Sequence, residues 1–229
     1  MKVRVVGLVP MRHHSERVPG KNYRAFAGEP LYRYIIRSLL DSGVIDEILI
    51  DTDSPEITED AARVFPAVRV IERPAHLRGG HIPMNEVLLH DVTQIKADYY
   101  VQTHSTNPLL RAATIRRATE TFLEKRAEYD SLFTVTKILT RLWDAEGRPV
   151  NHDPDVLLRT QDLPPIYEEN SNMYIFTRQS LERRRNRLGV RPFMFEVDRT
   201  EAMDLDTELD FQVAEFLFMR RREAEQEKP

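Results

Sequence analysis

The chain alternates between two spacings of apolar residues. Val3-Arg4-Val5-Val6-Gly7-Leu8-Val9 is almost continuously apolar, as expected of a strand covered on both faces. Leu31 to Leu40 places its apolar residues at helical intervals and ends near Gly43. Glu47-Ile48-Leu49-Ile50 reads as a second strand. Ser54-Pro55-Glu56 then opens a helix: Ser as N-cap, Pro at the first position, an acid in the first turn. Val68 to Ile71 is a short strand, Met84 to Lys96 a helix, Asp98 to Gln102 a strand, Arg111 to Arg126 a helix and Ser131 to Val135 a strand. Strands alternating with helices predict an α/β fold with a mostly parallel sheet covered on both faces.

The pattern breaks at about Lys137. From there to about Glu169 the chain is rich in Pro, Asp, Asn and Arg. A loop of that length without structure is unusual inside a compact domain, so a protruding arm packed on a partner subunit is expected. Regular patterning returns at Met173-Tyr174-Ile175-Phe176. A basic helix from Arg178 to Arg187, a strand from Phe193 to Val197 and a helical run from Phe211 to Met219 follow. The charged tail from Arg220 to Pro229 is expected to fray.

Composition narrows the class. The 229 residues, 41% hydrophobic, suffice for one sizeable α/β domain spanning 1–229. A net charge of −4 argues against a general nucleic-acid binder. No cysteine is present, which excludes a disulfide framework, a thiolate zinc site and a cysteine nucleophile. The N-terminal apolar run is too short for a signal-peptide core, and no stretch approaches a membrane span. A cytoplasmic protein without a membrane or nucleic-acid partner is expected.

Two segments hold candidate chemistry. The first strand runs into Pro10-Met11-Arg12-His13-His14-Ser15-Glu16-Arg17-Val18-Pro19-Gly20-Lys21-Asn22. Ligands of open α/β sheets sit at the carboxyl ends of strands, where this basic loop falls. It suits a polyphosphate, but it lacks the spacing of a Walker P-loop, and a solvated basic loop is the plain alternative. Near the other end lies Asp204-Leu205-Asp206-Thr207-Glu208-Leu209-Asp210. Carboxylates one residue apart suit Mg²⁺, while a helix cap is the plain alternative. Asp51 and Asp53, after the second strand, are read as a cap for the next helix and a wall of the site. His13 and His14 diverge and make a poor metal pair. His104 follows a strand and is placed to line the site.

These residues resemble the acylneuraminate cytidylyltransferase family. The resemblance is carried by Arg12-x-x-Ser15-x-x-x-Pro19-x-Lys21-Asn22, Asp51-Thr52-Asp53, Arg73-Pro74 and His104-Ser105-Thr106-Asn107-Pro108-Leu109. It continues in Arg159-Thr160-Gln161-Asp162-Leu163-Pro164, Asn170-Ser171-Asn172-Met173-Tyr174 and Asp204-x-Asp206-Thr207-x-x-Asp210. It covers nearly the whole chain with the motifs in order. It implies a Rossmann-like nucleotidyltransferase fold: a three-layer sandwich on a seven-stranded, mostly parallel sheet, with a protruding dimerisation arm over 137–175. The implied partners are CTP, a 2-keto-3-deoxy sugar acid and a second copy of the chain. The implied reaction releases pyrophosphate as the sugar's anomeric hydroxyl attacks the α-phosphate.

By the same resemblance, Arg12 and Lys21 hold the triphosphate, and Ser15, Asn22, Asp51, Asp53 and Arg73 shape the nucleotide pocket. Asp204 and Asp206 hold Mg²⁺, and Asp206 is a candidate for accepting the attacking proton. Gln102, His104, Thr106, Asn107, Asn170 and Tyr174 face the sugar. Arg159, with Gln161, reaches from the partner's arm, and Arg159 is the candidate for the sugar carboxylate.

The chain departs from the family pattern at Glu16 and Arg17, where Lys and Gly are usual, and at His104, where the family has Gln. Asn170-Ser171-Asn172, preceded by Glu168 and Glu169, departs as well. These changes bear on the acceptor more than on the nucleotide. Legionaminic, pseudaminic and Kdo-type acids are alternative acceptors, although Kdo enzymes typically carry Pro where this chain has Asn22. An A-type glycosyltransferase using a nucleotide-sugar donor is a second class, distinguished by the absence of pyrophosphate release. An inactive nucleotide-binding paralogue, kept open by Glu16, is a third.

Overall fold

The computed structural model describes residues 2–227. Along the chain lie β1 (Val5–Met11), a short hairpin of β2 (Ala25–Phe26) and β3 (Glu29–Pro30), α1 (Tyr32–Asp41), β4 (Glu47–Thr52), α2 (Pro55–Val64) and β5 (Arg69–Glu72). There follow α3 (Met84–Gln94), β6 (Tyr99–Thr103), α4 (Ala112–Lys125), β7 (Ser131–Ile138), β8 (Ile166–Phe176), α5 (Arg178–Arg184), β9 (Pro192–Glu196) and α6 (Glu208–Gln226). Among the described residues, seven strands form one sheet in the order β5-β4-β1-β6-β8-β7-β9. Only β8 runs antiparallel to its neighbours; the pairings β1–β4, β1–β6, β4–β5 and β7–β9 are parallel.

Every residue of β1 is buried, because the strand is central and both faces are covered. Its side chains alternate, as the period of a strand requires. Val5, Val9 and Met11 pack with Ile35 and Ile36 of α1, Ile57 of α2 and Ile115 of α4. Val6 and Leu8 point the other way, onto Leu88 and Val92 of α3 and Leu181 of α5. The two apolar layers are the core, and each fully buried aliphatic side chain contributes about 1.5–3 kcal/mol. The predicted start of α2 is present: Ser54 accepts from Ile57 N, with Pro55 in the first turn. A third cluster, Phe26, Leu31, Tyr34, Leu205 and Phe211, seats α6 on the outside of the α1 region.

Two segments differ from the sequence expectation. The expected arm is narrower than 137–175, since β7 extends to Ile138 and pairs with β8 from Ile166 onward. The irregular excursion is therefore 139–165, a long connection between two antiparallel strands. It presents Trp143, Val150, Val156 and Leu157 to solvent, Leu157 at 88% exposure. At the C-terminus, helix α6 continues to Gln226, so Arg220 to Gln226 do not fray into coil. Lys228 and Pro229 of that predicted tail lie outside the described residues.

Candidate functional site

From β1 the chain builds outward through β4 and β5, then crosses back past β1 to β6. The loops after β1 and β6 therefore diverge, which opens a crevice at the carboxyl ends of these strands. A cavity of about 340 Å³ lies there, lined by Arg12, Ser15, Lys21, Arg73, His104 and Thr106 among others. Asn22 joins the two loops: its Nδ2 donates to the Arg12 carbonyl at 2.7 Å, and its Oδ1 accepts from the Ser105 hydroxyl at 2.7 Å. Gly20 turns the loop at φ 63°, a conformation costly for other residues. Gly80 forms the opposite wall, where a Cβ would come within 2.7 Å of Glu16 Oε1 and 3.1 Å of Arg12 Nη1. Glu16 thus stands inside a basic cavity beside Arg12.

Lys21 connects this cavity to the carboxylate loop. It is buried, and its Nζ donates to the Leu205 carbonyl. Burial pushes its pKa down, while the charges of Asp204 and Asp206 act the other way. Asp204 has its pKa raised, first by burial; Thr106 opposes this and the Asp206 charge adds to it. Asp206 is half-exposed and paired with Arg17 at 2.7 Å. Neither carboxylate caps the last helix. Thr207 does so, accepting from Asp210 N while Asp210 answers with a reciprocal bond.

Asp204 and Asp206 therefore remain available to a cation. Among the described residues no group of three or more His, Cys, Asp or Glu is arranged to hold a metal. Two carboxylates suit Mg²⁺, which takes one or two from protein and the rest from phosphate and water. Burial is the first cause of the raised Asp204 pKa and the Asp206 charge adds to it; a cation would relieve both, so the residues fit the ion. A second cavity, about 720 Å³, opens on the other side of this loop. Asn170, Glu168, Glu169 and Arg199 face Asp204 and Asp206 across it. Because β8 is antiparallel, its first residues reach the edge where the other strands end.

The remaining predicted residues divide. Gln102 is fully buried, its Oε1 accepting from Arg187 Nη1 at 2.6 Å. Tyr174 is buried too; its hydroxyl donates to Glu169, and the Arg187 guanidinium lies 3.5 Å above its ring. Asn107 is buried and donates to the Met203 carbonyl at 3.3 Å. Asn170 bonds Thr134 and Thr136 across the sheet. Gln102, Tyr174 and Asn107 support the walls from behind, whereas Asn170 also lines the second cavity. Asp51 grips Arg73 at 2.8 Å, and Asp53 accepts from His13 N at 2.7 Å. His104 lines the first cavity, its Nε2 buried and without a partner among the described residues. Its pKa falls from 6.5 to about 3, chiefly by burial and then through Arg187 and Lys21, so the imidazole is neutral. Arg159 pairs with Asp162 at 2.6 Å on the exposed arm, where Gln161 also lies, and the chain does not bring either to the cavities.

Sequence reasoning missed Arg187 and Asp91. Arg187 sat in a run of basic residues with nothing to distinguish it. Asp91 did leave a signal: it falls on the apolar stripe Val87, Leu88, Asp91, Val92 of α3, all buried. An acid on such a stripe requires a buried partner.

Comparison with known proteins follows the same lines. The family model for cytidylyltransferases matches residues 6–226. A post-translational flagellin modification protein B of Campylobacter coli is 29% identical over 221 residues, covering 92% of this chain and 93% of that protein. The CMP-N,N'-diacetyllegionaminic acid synthase of Legionella pneumophila is 27% identical, covering 97% of this chain and 99% of that protein. The pseudaminic acid cytidylyltransferase of Campylobacter jejuni is 25% identical, with 95% and 97% covered. Among solved structures, CMP:2-keto-3-deoxy-manno-octonic acid synthetase complexed with CTP superposes with a TM-score of 0.69 at 16% identity, covering 95% of this chain and 99% of that one. At that identity the likeness speaks to the fold.

Proposed function

This chain belongs to the cytidylyltransferase family, and from that premise we propose that it couples CTP to a 2-keto-3-deoxy sugar acid of the nonulosonate class. One observation carries the reading beyond the family: a basic cavity at the β1–β6 crevice is joined through Lys21 to a carboxylate pair free of any capping duty.

The anomeric hydroxyl of the acid gives up its proton, for which Asp206 is the candidate acceptor, and its oxygen forms a bond to the α-phosphorus as the bond to the bridging oxygen breaks. Pyrophosphate leaves with that electron pair. The protein's task is positioning and charge neutralisation. Arg12 offers a fork for bidentate phosphate contact, and Lys21 a point charge. Asn22 and Ser15 hold the loop against the nucleotide, and Arg73 meets it from the β5 side. Asp204 and Asp206 would hold Mg²⁺, whose charge when bound offsets that on the α-phosphate and on the leaving pyrophosphate. The acceptor enters from the second cavity, past Asn170 and the acids Glu168 and Glu169. His104, neutral on the wall of the first cavity, is read as bordering the acceptor where the two cavities meet.

Two of the sequence relatives act by their names on pseudaminic acid and on N,N'-diacetyllegionaminic acid, and Asn22 stands where Kdo enzymes typically carry Pro. Both favour a nonulosonate over a Kdo-type acceptor. We also read the chain as a homodimer whose arm, 139–165, covers its apolar residues on a second copy and brings Arg159 and Gln161 to the neighbour's acceptor.

The test is pyrophosphate release from CTP with Mg²⁺ across a panel of 2-keto-3-deoxy sugar acids, with the other three nucleoside triphosphates as controls. Release with CTP and one acid is expected. CTP binding without release for any acid would overturn the reading in favour of an inactive paralogue.

A further inference from the structure

Behind the nucleotide cavity lies a buried polar cluster. Arg73, 2% exposed, lines the cavity, with Nε donating to Asp51 Oδ1 at 2.8 Å and Nη2 to the Asp51 carbonyl at 3.2 Å. Asp51 is fully buried near the end of β4, and its Oδ2 has no donor among the described residues. Asp91 is also fully buried, on the inner face of α3 among Val87, Leu88 and Val92. Neither of its oxygens has a donor among the described residues.

Arg73 grips Asp51, Asp91 lies within side-chain interaction range of that same carboxylate, and among the described residues three of the four carboxyl oxygens have no donor. Buried acceptors left unpaired are strongly disfavoured. Two adjacent carboxylates in a dry site cannot both ionise. A single proton resolves both difficulties. Placed on Asp91, it lets that group donate to Asp51 Oδ2 and leaves Asp51 the anion that Arg73 already grips. The charges agree with this placement. Burial, then the neighbouring Asp51, pushes the Asp91 carboxyl well above the usual range, against the opposing pull of Arg73.

We propose that Asp91 is a positioning residue for the nucleotide site: as a neutral carboxylic acid it donates to Asp51, which anchors Arg73 and fixes the edge its guanidinium presents to the nucleotide. This rests on the cytidylyltransferase reading only in identifying the cavity's ligand as CTP. Asp91 does not line the cavity, so it acts through Asp51 and Arg73.

Two variants separate the donor from the charge. Asp91→Asn keeps an N–H donor in the same shape, and Asp91→Leu removes the donor without adding a charge. Calorimetric titration with CTP is expected to give wild-type affinity for Asp91→Asn. Asp91→Leu should bind about tenfold more weakly, the loss expected when one guanidinium contact is misplaced, with kcat at saturating CTP unchanged. Infrared spectra of protein labelled with ¹³C in the Asp carboxyls should show a protonated-carboxyl band at neutral pH that Asp91→Asn lacks. Absence of that band in the wild type overturns the proposal, and this readout needs neither turnover nor a folded Leu variant. Equal loss of CTP affinity in both variants, or unchanged affinity in Asp91→Leu, also overturns it. Failure of the wild type to turn over any acid would instead sink the functional reading and leave the infrared result standing.

Discussion

Asp206 and His104 are the single residues whose chemistry can be tested most sharply. Asp206 is 43% exposed on its side chain and holds only Arg17, so little of the fold depends on it. Asp206→Ala should leave the melting temperature near that of the wild type. Turnover should fall by roughly a hundredfold or more, since a metal ligand supplies several kcal/mol of transition-state stabilisation. Steady-state rates at saturating CTP decide this, and near-normal turnover would dismiss the metal assignment. His104 makes a prediction about pH. Its ring titrates at about 3 in the fold against 6.5 when unfolded, so between those values the unfolded chain binds more protons. Its contribution to stability is full above 6.5 and is lost as the pH falls towards 3, by up to about 1.4 kcal/mol per pH unit. His104→Gln should abolish that slope, so in thermal melts the wild type should lose stability relative to the variant as the pH drops. Parallel curves over the whole range would show that the imidazole is not enclosed as described.

At the level of elements, the N-terminus of α6 links folding to the site. Thr207 caps this helix in a reciprocal arrangement with Asp210, immediately after the candidate metal ligand. Thr207→Ala should cost about 1 kcal/mol of stability and weaken Mg²⁺-dependent CTP binding by loosening the loop that carries Asp204 and Asp206. Denaturant unfolding and CTP titration with and without Mg²⁺ measure the two effects, and loss of stability alone would uncouple them. Elements such as β1 and α2 were legible because local pattern and tertiary role agree. The first half of β8 was not, because Tyr167, Glu168 and Glu169 are exposed and polar. Pairing with β7 makes that stretch a strand, and no local sequence encodes such pairing. The end of α6 was misread for a related reason: it lacks an apolar stripe and is supported by pairs such as Arg220–Glu223 at 3.0 Å. At the site, the basic loop and the carboxylate pair stand out as motifs and Asp91 as an acid on an apolar stripe, whereas Arg187 gains meaning only from neighbours distant in sequence.

At the scale of the whole molecule, the arm is the feature that a lone chain leaves unexplained. Leu157 is 88% exposed beside Val156 and Leu158, an apolar grouping that calls for a cover. Leu157→Asp should leave the single chain folded, since nothing in it buries this side chain, and should shift the species in sedimentation equilibrium from dimer to monomer. A wild-type chain that sediments as a monomer at micromolar concentration would refute the dimer. The bond from Lys21 to Leu205 has a consequence of another kind. It joins residues separated by 184 positions, so Lys21 leaves the ribosome long before the loop it must meet. At ordinary synthesis rates that interval is roughly ten to forty seconds. Throughout it, the nascent chain carries the basic loop without Asp204 and Asp206 opposite. On the proposed function, competence therefore arrives all at once, with the last helix and the loop before it, and a chain cut short there would keep the strands β1 to β9 but lack Asp204 and Asp206.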